Sequence, residues 1–249
     1  MKKNLRKTTK KMTKKTDIKT IEKSIGVEFK NKENLLTALT HRSYLNEERT
    51  TKEHNERLEF LGDAVIELIV SKFLYANYPD KTEGSLTSFR SATVKTTTLA
   101  QTARELELGK YVMMSKGEES TGGREKEYIL ANTFEATVGA IFQDQGLKAC
   151  ESFVKRVLLY KIDDIVNKRL DIDPKTQFQE IAQEKAKKTP TYQLVSETGP
   201  DHDKDFEMGV YIGEKLYGKG KGPSKQRAEE AAAREGLKKL KNETKNDKP

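Results

Sequence analysis

Apolar residues between positions 18 and 165 recur every three or four places and show little of the strict alternation that is typical of strands. This period predicts amphipathic helices over residues 34–44, 56–75, 95–106, 126–145 and 147–166. Pro79 and the pairs Glu83-Gly84 and Gly122-Gly123 interrupt the pattern, as turn residues do. The first part of the chain is therefore predicted to be an all-α domain.

The pattern changes after residue 166. Residues 167–173 mix charged residues with little periodicity, which is typical of a linker. A helix is predicted next at 175–187, followed by strands at 191–198, 205–212 and 214–220 and an alanine-rich helix at 224–240. Three short strands form one small antiparallel sheet, which needs both helices as cover. We therefore expect an all-α domain over 17–166, a linker at 167–173, a small α+β domain (α-β-β-β-α) over 174–243 and a tail at 244–249.

Four carboxylates fall on one face of the predicted helix 56–75. Glu56, Glu59, Asp63 and Glu67 are three, four and four residues apart, a spacing that stacks them along one side of a helix. A solvated acidic stripe would have the same spacing. The apolar neighbours argue against that interpretation, because they surround most of the helix and predict that it is buried. The opposite face carries Leu58, Leu61, Val65, Leu68 and Ile69, and the carboxylates are flanked by Phe60, Ile66 and Val70.

A second acidic position lies in the predicted helix 126–145, which is also apolar nearly all round. Asn132 and Glu135 are three residues apart and share a face with Gly139, whose missing side chain would let another backbone or a substrate approach closely. A buried Glu135 that is paired with a neighbouring hydroxyl or lysine is the alternative interpretation. Carboxylates in apolar surroundings take up protons unless a cation offsets their charge, so a divalent metal is expected here.

The candidate ligands are all oxygen donors. Glu59, Asp63, Asn132 and Glu135 include no histidine or cysteine, which favours Mg²⁺ or Mn²⁺ over zinc. Few-ligand carboxylate sites of this kind suit hydrolysis of phosphodiesters by a metal-activated water.

The charge of the chain favours a polyanionic partner. Its formal net charge is +8 and its pI is about 9.2, which fits nucleic acid or, failing that, an anionic membrane surface.

Residues 1–16 form a basic arm with eight lysines and arginines and no acidic residue, which is either a disordered tail or an RNA-binding segment. The arm lacks the apolar centre of a signal peptide, and no stretch is apolar enough to cross a bilayer. No apolar helix face suits a membrane surface either.

The single cysteine limits the redox chemistry. Cys150 alone excludes an intrachain disulfide and a cysteine zinc cluster, so a reducing, cytoplasmic setting is expected. Hydrophobic residues make up a low fraction of the chain, 34%, and charged residues a high fraction, 35%. This composition predicts helices with wide polar faces.

At the first acidic helix the sequence resembles bacterial ribonuclease III, whose signature closely matches Asn55-Glu56-Arg57-Leu58-Glu59-Phe60-Leu61-Gly62-Asp63-Ala64-Val65. The resemblance extends to residues 39–44, to Glu83-Gly84, to residues 122–126 and 134–136 and to the whole C-terminal domain. It covers nearly all of the chain except the basic arm.

The resemblance implies roles for the acidic residues. Glu59 and Glu135 would be magnesium ligands, Asp63 and Glu135 would be essential to the chemistry, and Glu56 and Glu83 would line the catalytic valley. Asn132 stands where many family members have a metal-binding aspartate, so it keeps a carbonyl oxygen and loses a negative charge. We therefore expect this site to need more Mg²⁺ than one with aspartate.

The C-terminal domain resembles the double-stranded-RNA-binding fold. Ser224, Lys225 and Gln226 open the last helix, where free N–H groups and a basic side chain suit phosphates. Thr176, Gln177 and Glu180 on the first helix, and His202 in the loop after the first strand, would face two successive minor grooves over about 16 base pairs. Arg124 and Lys126, before the second acidic helix, are interpreted either as phosphate contacts or as a solvated turn.

These observations predict a Mg²⁺-dependent endonuclease for double-stranded RNA, with no small-molecule cofactor. The resemblance implies 5′-phosphate and 3′-hydroxyl ends and a homodimer with one site for each strand, which leaves a short 3′ overhang. Expected substrates are ribosomal and messenger RNA precursors, with transfer RNA precursors as a further option. The alternative is a double-stranded-RNA-binding protein whose catalytic domain has lapsed. Asn132 favours that alternative and the retained carboxylates argue against it.

Overall fold

The computed structural model describes residues 18–48, 53–169, 171–200 and 204–246, with side chains up to residue 240. The basic arm and His202 lie outside the described residues. The chain divides into two compact units between Asp171 and Ile172. In the part of the chain that is described, no helix is sufficiently long and apolar to span a bilayer.

The first unit is all-α in its described residues. Short 3₁₀ helices lie at Arg42–Asn46, Leu108–Lys110, Gly123–Glu125 and Leu159–Lys161. The α-helices are α1 (Ile18–Ile25), α2 (Lys32–Ala38), α3 (Glu56–Asn77), α4 (Glu83–Val94), α5 (Thr96–Glu105), α6 (Lys116–Ser120), α7 (Glu127–Gln145), α8 (Leu147–Val157) and α9 (Ile162–Asn167).

Helix α7 forms the centre of this unit. It packs against α2, α3, α5 and α8, and its side chains from Ile129 to Ile141 are nearly all buried. This position follows from its sequence, because a helix that is apolar all round must be covered on every side. The core therefore places Asn132 and Glu135 on the most enclosed helix of the unit.

Two predicted helices are shorter in the structure. The prediction that residues 34–44 form one helix was wrong, because α2 ends at Ala38 and Thr40 pairs with Met113 in a short parallel bridge. The His41 imidazole then accepts the Ser43 N–H at 3.4 Å and starts the 3₁₀ helix. The predicted helix 147–166 is broken at Leu158, between α8 and α9, although most of its apolar residues remain buried.

The prediction that the first acidic helix is buried over most of its circumference was also wrong for a single chain. Val65, Ile66 and Ile69 are buried, but Leu68, which was assigned to the core face, is 54% exposed. Phe60 is 82% exposed and Tyr75 is 79% exposed. An exposed apolar stripe therefore runs along α3, made of Phe60, Ala64, Leu68 and Tyr75.

The second unit has the predicted order of one helix, three strands and one helix: α10 (Pro174–Ala186), β1 (Thr191–Thr198), β2 (Asp205–Ile212), β3 (Lys215–Gly222) and α11 (Lys225–Asn246). The strands form one antiparallel sheet in the order β1-β2-β3, and the alanine-rich face of α11 packs on β2 and β3. A Cβ at Gly220 would lie 2.1 Å from the backbone nitrogen of Ala232, so small residues on both sides allow the helix to lie close to the sheet.

Candidate functional site

The candidate site is built on a direct backbone contact between α3 and α7. A Cβ at Gly62 would lie 1.8 Å from the carbonyl oxygen of Glu135, and a Cβ at Gly139 would lie 2.1 Å from the carbonyl oxygen of Leu58. Neither helix has room for a side chain at the contact. The sequence predicted that either another backbone or a substrate would approach Gly139 closely, and the structure shows the backbone of α3 there.

This contact brings the predicted acidic residues of the two helices together. Glu59 and Asp63 lie on either side of Gly62 in α3, and the negative charges of both act on Glu135 of α7. The side-chain amide of Asn132 makes a polar contact with the carboxylate of Glu59. Four of the predicted site residues therefore form one acidic cluster, which we define as Glu59, Asp63, Asn132 and Glu135.

The electrostatics of the acidic cluster favour a cation. Burial raises the pKa of Glu135 to about 8, and the charges of Asp63 and Glu59 contribute to the rise. Burial also raises the pKa of Glu59, as do Glu56 and Asp63, whereas the contact with Asn132 opposes the rise. Asp63 is exposed. A positive charge in the cluster would stabilise the ionised forms of both partly buried carboxylates.

Glu56 lies at the edge of the acidic cluster and Glu83 lies apart from it. The carboxylate of Glu56 is 3.5 Å from Arg42 Nη1 and 3.8 Å from His54 Nδ1, and its charge contributes to the raised pKa of Glu59. Glu83 is exposed at the start of α4 and accepts a hydrogen bond from Thr87 at 3.1 Å. Its charge is not among those that shift the pKa of Glu59 or Glu135.

The basic residues before α7 hold their own loop together. Arg124 Nη1 donates to the carbonyl oxygens of Gly109 at 2.8 Å and Val112 at 2.9 Å, and its Nε pairs with Glu119 at 2.8 Å. Lys126 Nζ lies 2.7 Å from Glu118 Oε1. Both side chains therefore have partners within the domain. Neither of the two sequence interpretations, phosphate contacts or a solvated turn, included these partners.

The start of α11 is an exposed helix N-terminus with a capping serine. Ser224 Oγ accepts the N–H of Arg227 at 3.3 Å, so the predicted serine cap forms. Lys225 and Gln226 are exposed beside it, and Lys225 Nζ lies 5.9 Å from the centre of the Phe206 ring. Helix N–H groups with an adjacent lysine can bind an anion.

Helix α10 presents only part of the predicted contact set to solvent. Thr176 and Glu180 are exposed four residues apart, which places them on one face of the helix. Gln177 is only 6% exposed. Its side chain therefore lies largely inside its own domain.

The sequence interpretation missed two features that shape the site. Gly62 was part of the quoted signature but was not assigned the contact with α7, although a glycine inside an apolar helical pattern indicates a close approach. The role of Arg124 was missed because a guanidinium that donates to loop carbonyls leaves no periodic signal in the sequence.

The chain matches two known protein families. Residues 31–162 match the family model described as Ribonuclease-III-like, and residues 174–240 match the Double-stranded RNA binding motif. Together with the helical first unit and the α-β-β-β-α second unit, these matches confirm the predicted fold class.

Relatives match most of the chain. Ribonuclease 3 from Desulforamulus reducens is 48% identical over 217 residues, which cover 87% of this chain and 88% of that protein. Ribonuclease 3 from Bacillus licheniformis is 45% identical over 223 residues, 89% of each chain. A solved nuclease domain of ribonuclease III from Campylobacter jejuni, described as flexible in the region involved in dimer formation, has a TM-score of 0.53 at 39% identity. It covers 57% of this chain and 95% of that one. The protein is an endoribonuclease and belongs to the ribonuclease III family.

Proposed function

We propose that this enzyme hydrolyses phosphodiester bonds of double-stranded RNA with Mg²⁺, leaving 5′-phosphate and 3′-hydroxyl ends. The observation that carries the proposal is the convergence of Glu59, Asn132 and Glu135 across the contact between α3 and α7. We further propose that it acts in the cytoplasm as a homodimer on ribosomal and messenger RNA precursors, with transfer RNA precursors as a further option. The proposed domain limits remain 17–166 and 174–243.

The residues of the acidic cluster suit Mg²⁺. In the described part of the chain, no three His, Cys, Asp or Glu side chains gather closely enough to hold a metal ion by themselves. Mg²⁺ needs only one or two protein carboxylates, because waters and substrate phosphates fill its other positions. Glu59 and Glu135 would supply carboxylates, and Asn132 would supply its amide oxygen. The raised pKa of Glu135 supports this assignment, since the cluster lacks a compensating positive charge.

The chain's own residues would prepare the reaction. Mg²⁺, when bound, lowers the pKa of a water and stabilises the leaving oxygen. Asp63, which is exposed beside Glu59, would accept a hydrogen bond from the attacking water and orient it. The close packing of α3 on α7 would keep these groups at fixed separations before RNA arrives.

Duplex binding would use the second unit. Ser224, Lys225 and Gln226 at the start of α11 would bind phosphates, and Thr176 and Glu180 on α10 would contact a minor groove. His202 and Gln177 stay in the proposed set, although Gln177 would need to move to expose more of its side chain.

The dimer proposal rests on the exposed apolar stripe of α3. Phe60 borders a surface cavity of about 830 Å³ that Leu58 and Leu61 also line. The other residues that line the cavity are polar or charged, so this face offers a protruding ring beside a recess that is only partly apolar. In a two-fold contact between identical chains, the ring of each chain can enter the recess of the other. Large exposed apolar patches usually mark interaction sites.

The experiment that tests the function is a Mg²⁺ titration of EDTA-stripped protein with long double-stranded RNA. We expect no shortening in EDTA, short duplex products as Mg²⁺ is added, and binding of the duplex in both conditions. Binding without cleavage at every Mg²⁺ and Mn²⁺ concentration would replace the proposal with the lapsed RNA-binding protein.

In the same titration, Asn132→Asp is expected to reach its half-maximal rate at a Mg²⁺ concentration about 3- to 10-fold lower. The aspartate keeps an oxygen ligand and adds a negative charge, and tenfold in affinity corresponds to about 1.4 kcal/mol. Asn132→Ala, which removes the oxygen, should shift the curve the other way. Identical curves for the wild type and Asn132→Asp would reject the effect of the missing charge.

Phe60→Glu is expected to convert the dimer into a monomer, as measured by light scattering after gel filtration. Phe60 is 82% exposed, so the fold should be retained, whereas two glutamates facing each other across the interface would weaken it by roughly 30-fold or more. Lys148→Glu, an exposed charge change on α8, is the matched control. A wild-type protein that is monomeric at micromolar concentration would contradict the dimer.

A further inference from the structure

Tyr128 is an exposed aromatic residue at the start of the otherwise enclosed helix α7. Its side chain is 51% exposed, whereas Ile129, Leu130 and Ala131 are buried. Tyr128 precedes Asn132 by four residues and Glu135 by seven, so the three side chains share one face of the helix. The phenol therefore lies at the solvent-exposed end of the α7 face that carries two of the proposed metal ligands, Asn132 and Glu135.

The lysine nearest to Tyr128 in the sequence is already bonded within the domain. Lys126 Nζ contacts Glu118 Oε1 at 2.7 Å and Thr121 Oγ1 at 3.1 Å. Among the described residues none accepts a hydrogen bond from the Tyr128 hydroxyl. The exposed Tyr160 differs, because its hydroxyl donates to Glu105 at 3.0 Å. Tyr128 therefore offers a hydrogen-bond donor to solvent beside the acidic cluster.

A neutral donor suits this position. A lysine one turn from Asn132 would be drawn to the carboxylates of the acidic cluster and would compete with the cation they are proposed to hold. A phenol donates a hydrogen bond without a charge, and its ring can lie against a ribose. Tyr128 lies about 10 Å from Glu135 along the helix axis, so it would meet nucleotides that flank the cleaved bond.

We propose that Tyr128 binds the RNA duplex beside the cleaved bond by donating its hydroxyl hydrogen to a phosphate oxygen of the backbone. The proposal rests on the proposed function, because it assumes that a duplex lies across the acidic cluster. It adds a substrate-contacting residue from the catalytic domain to those of the second unit.

The test compares full-length wild type, Tyr128→Phe and Tyr160→Phe in steady-state cleavage of a defined RNA hairpin with Mg²⁺. Loss of one hydrogen bond is expected to raise the KM of Tyr128→Phe by about 2- to 10-fold while kcat is unchanged. Tyr160→Phe, which also loses an exposed hydroxyl, should keep the wild-type KM. Fluorescence anisotropy of the same hairpin in EDTA should show weaker binding by Tyr128→Phe alone.

Equal KM values and equal hairpin affinities for the two phenylalanine variants would overturn the proposal. Failure of the proposed function is distinguishable from this result, since it would appear as a wild type that binds the hairpin and does not cleave it. The binding measurement in EDTA needs no cleavage, so it tests the contact of Tyr128 in either case. Thermal unfolding of both variants at the wild-type temperature would show that neither substitution disturbs the fold.

Discussion

Glu135→Gln is expected to reduce the rate of double-stranded-RNA cleavage by roughly 10²- to 10³-fold or more while duplex binding persists. Glutamine keeps the size of the side chain and removes the charge that the acidic cluster is proposed to direct at a cation, and loss of one such electrostatic group typically costs this much. The measurement is single-turnover cleavage at saturating Mg²⁺, with a gel-shift assay for binding. Glu67→Gln, on the same carboxylate face of α3 but exposed and farther along the helix, is the matched control and should cleave normally.

The same variant should be more stable than the wild type without metal. Burial and the charges of Asp63 and Glu59 raise the folded-state pKa of Glu135 to about 8, above its value in the unfolded chain. The wild type therefore loses stability as the pH rises from about 4.5 to 8, because ionisation is disfavoured only in the folded state. Glutamine does not ionise, so the stability difference in EDTA should be largest above pH 8 and disappear near pH 4.5. Equal stability of the two proteins at pH 9 would contradict the raised pKa.

Gly62→Ala is expected to lower the free energy of unfolding by about 3 kcal/mol or more. The added methyl group would lie 1.8 Å from the carbonyl oxygen of Glu135 and 2.9 Å from the backbone nitrogen of Gly139. Backbone atoms of a buried helix cannot move aside as a flexible side chain can, so α3 and α7 must separate. A displacement of about 1 Å would also reduce the cleavage rate of the remaining folded protein by about 10²-fold. Urea unfolding followed by circular dichroism measures the first effect, and cleavage per folded molecule measures the second.

Gly84→Ala is the matched control for this substitution. Gly84 lies in the first turn of α4, and a Cβ there would meet no atom within 4 Å. Alanine is the better helix former by about 1 kcal/mol, so this variant should be as stable as the wild type or slightly more stable. A Gly62→Ala protein that unfolds at the same urea concentration as Gly84→Ala would show that the two helices are not in backbone contact.

The sequence predicted the parts of the fold that depend on periodicity. The acidic positions of α3 and α7 and the alternating strands of the second unit follow directly from residue spacing, and the chain order of the elements agrees with the structure. The C-terminal end of α2 did not follow, because it depends on tertiary hydrogen bonds of Leu39 and His41 with Met113. The break at Leu158 did not follow either, because buried apolar residues continue across it. The bridge between Thr40 and Met113 joins residues that are 73 positions apart, and no local pattern records such a pairing.

The exposed apolar stripe of α3 shows a second kind of feature that the sequence could not predict. Leu68 has the apolar character of a core residue, so the sequence interpretation assigned it to the core face of α3, but the structure leaves it exposed. Composition cannot distinguish a surface covered by the same chain from one covered by another chain. Similarly, the spacing of Asn132 and Glu135 predicted a shared face, but only the packing of α3 on α7 placed Glu59 opposite them.

The contact between Gly62 and Gly139 affects how the enzyme tolerates mutation elsewhere. Because main-chain atoms set the separation of α3 and α7 there, trimming a side chain such as Ile66 or Val138 leaves a void without bringing the two helices closer at the contact. Substitutions that accumulate in the core should therefore lower the fraction of molecules that are folded. The cleavage rate of each folded molecule should stay nearly unchanged. Abundance and catalytic rate can then vary independently during the evolution of this chain.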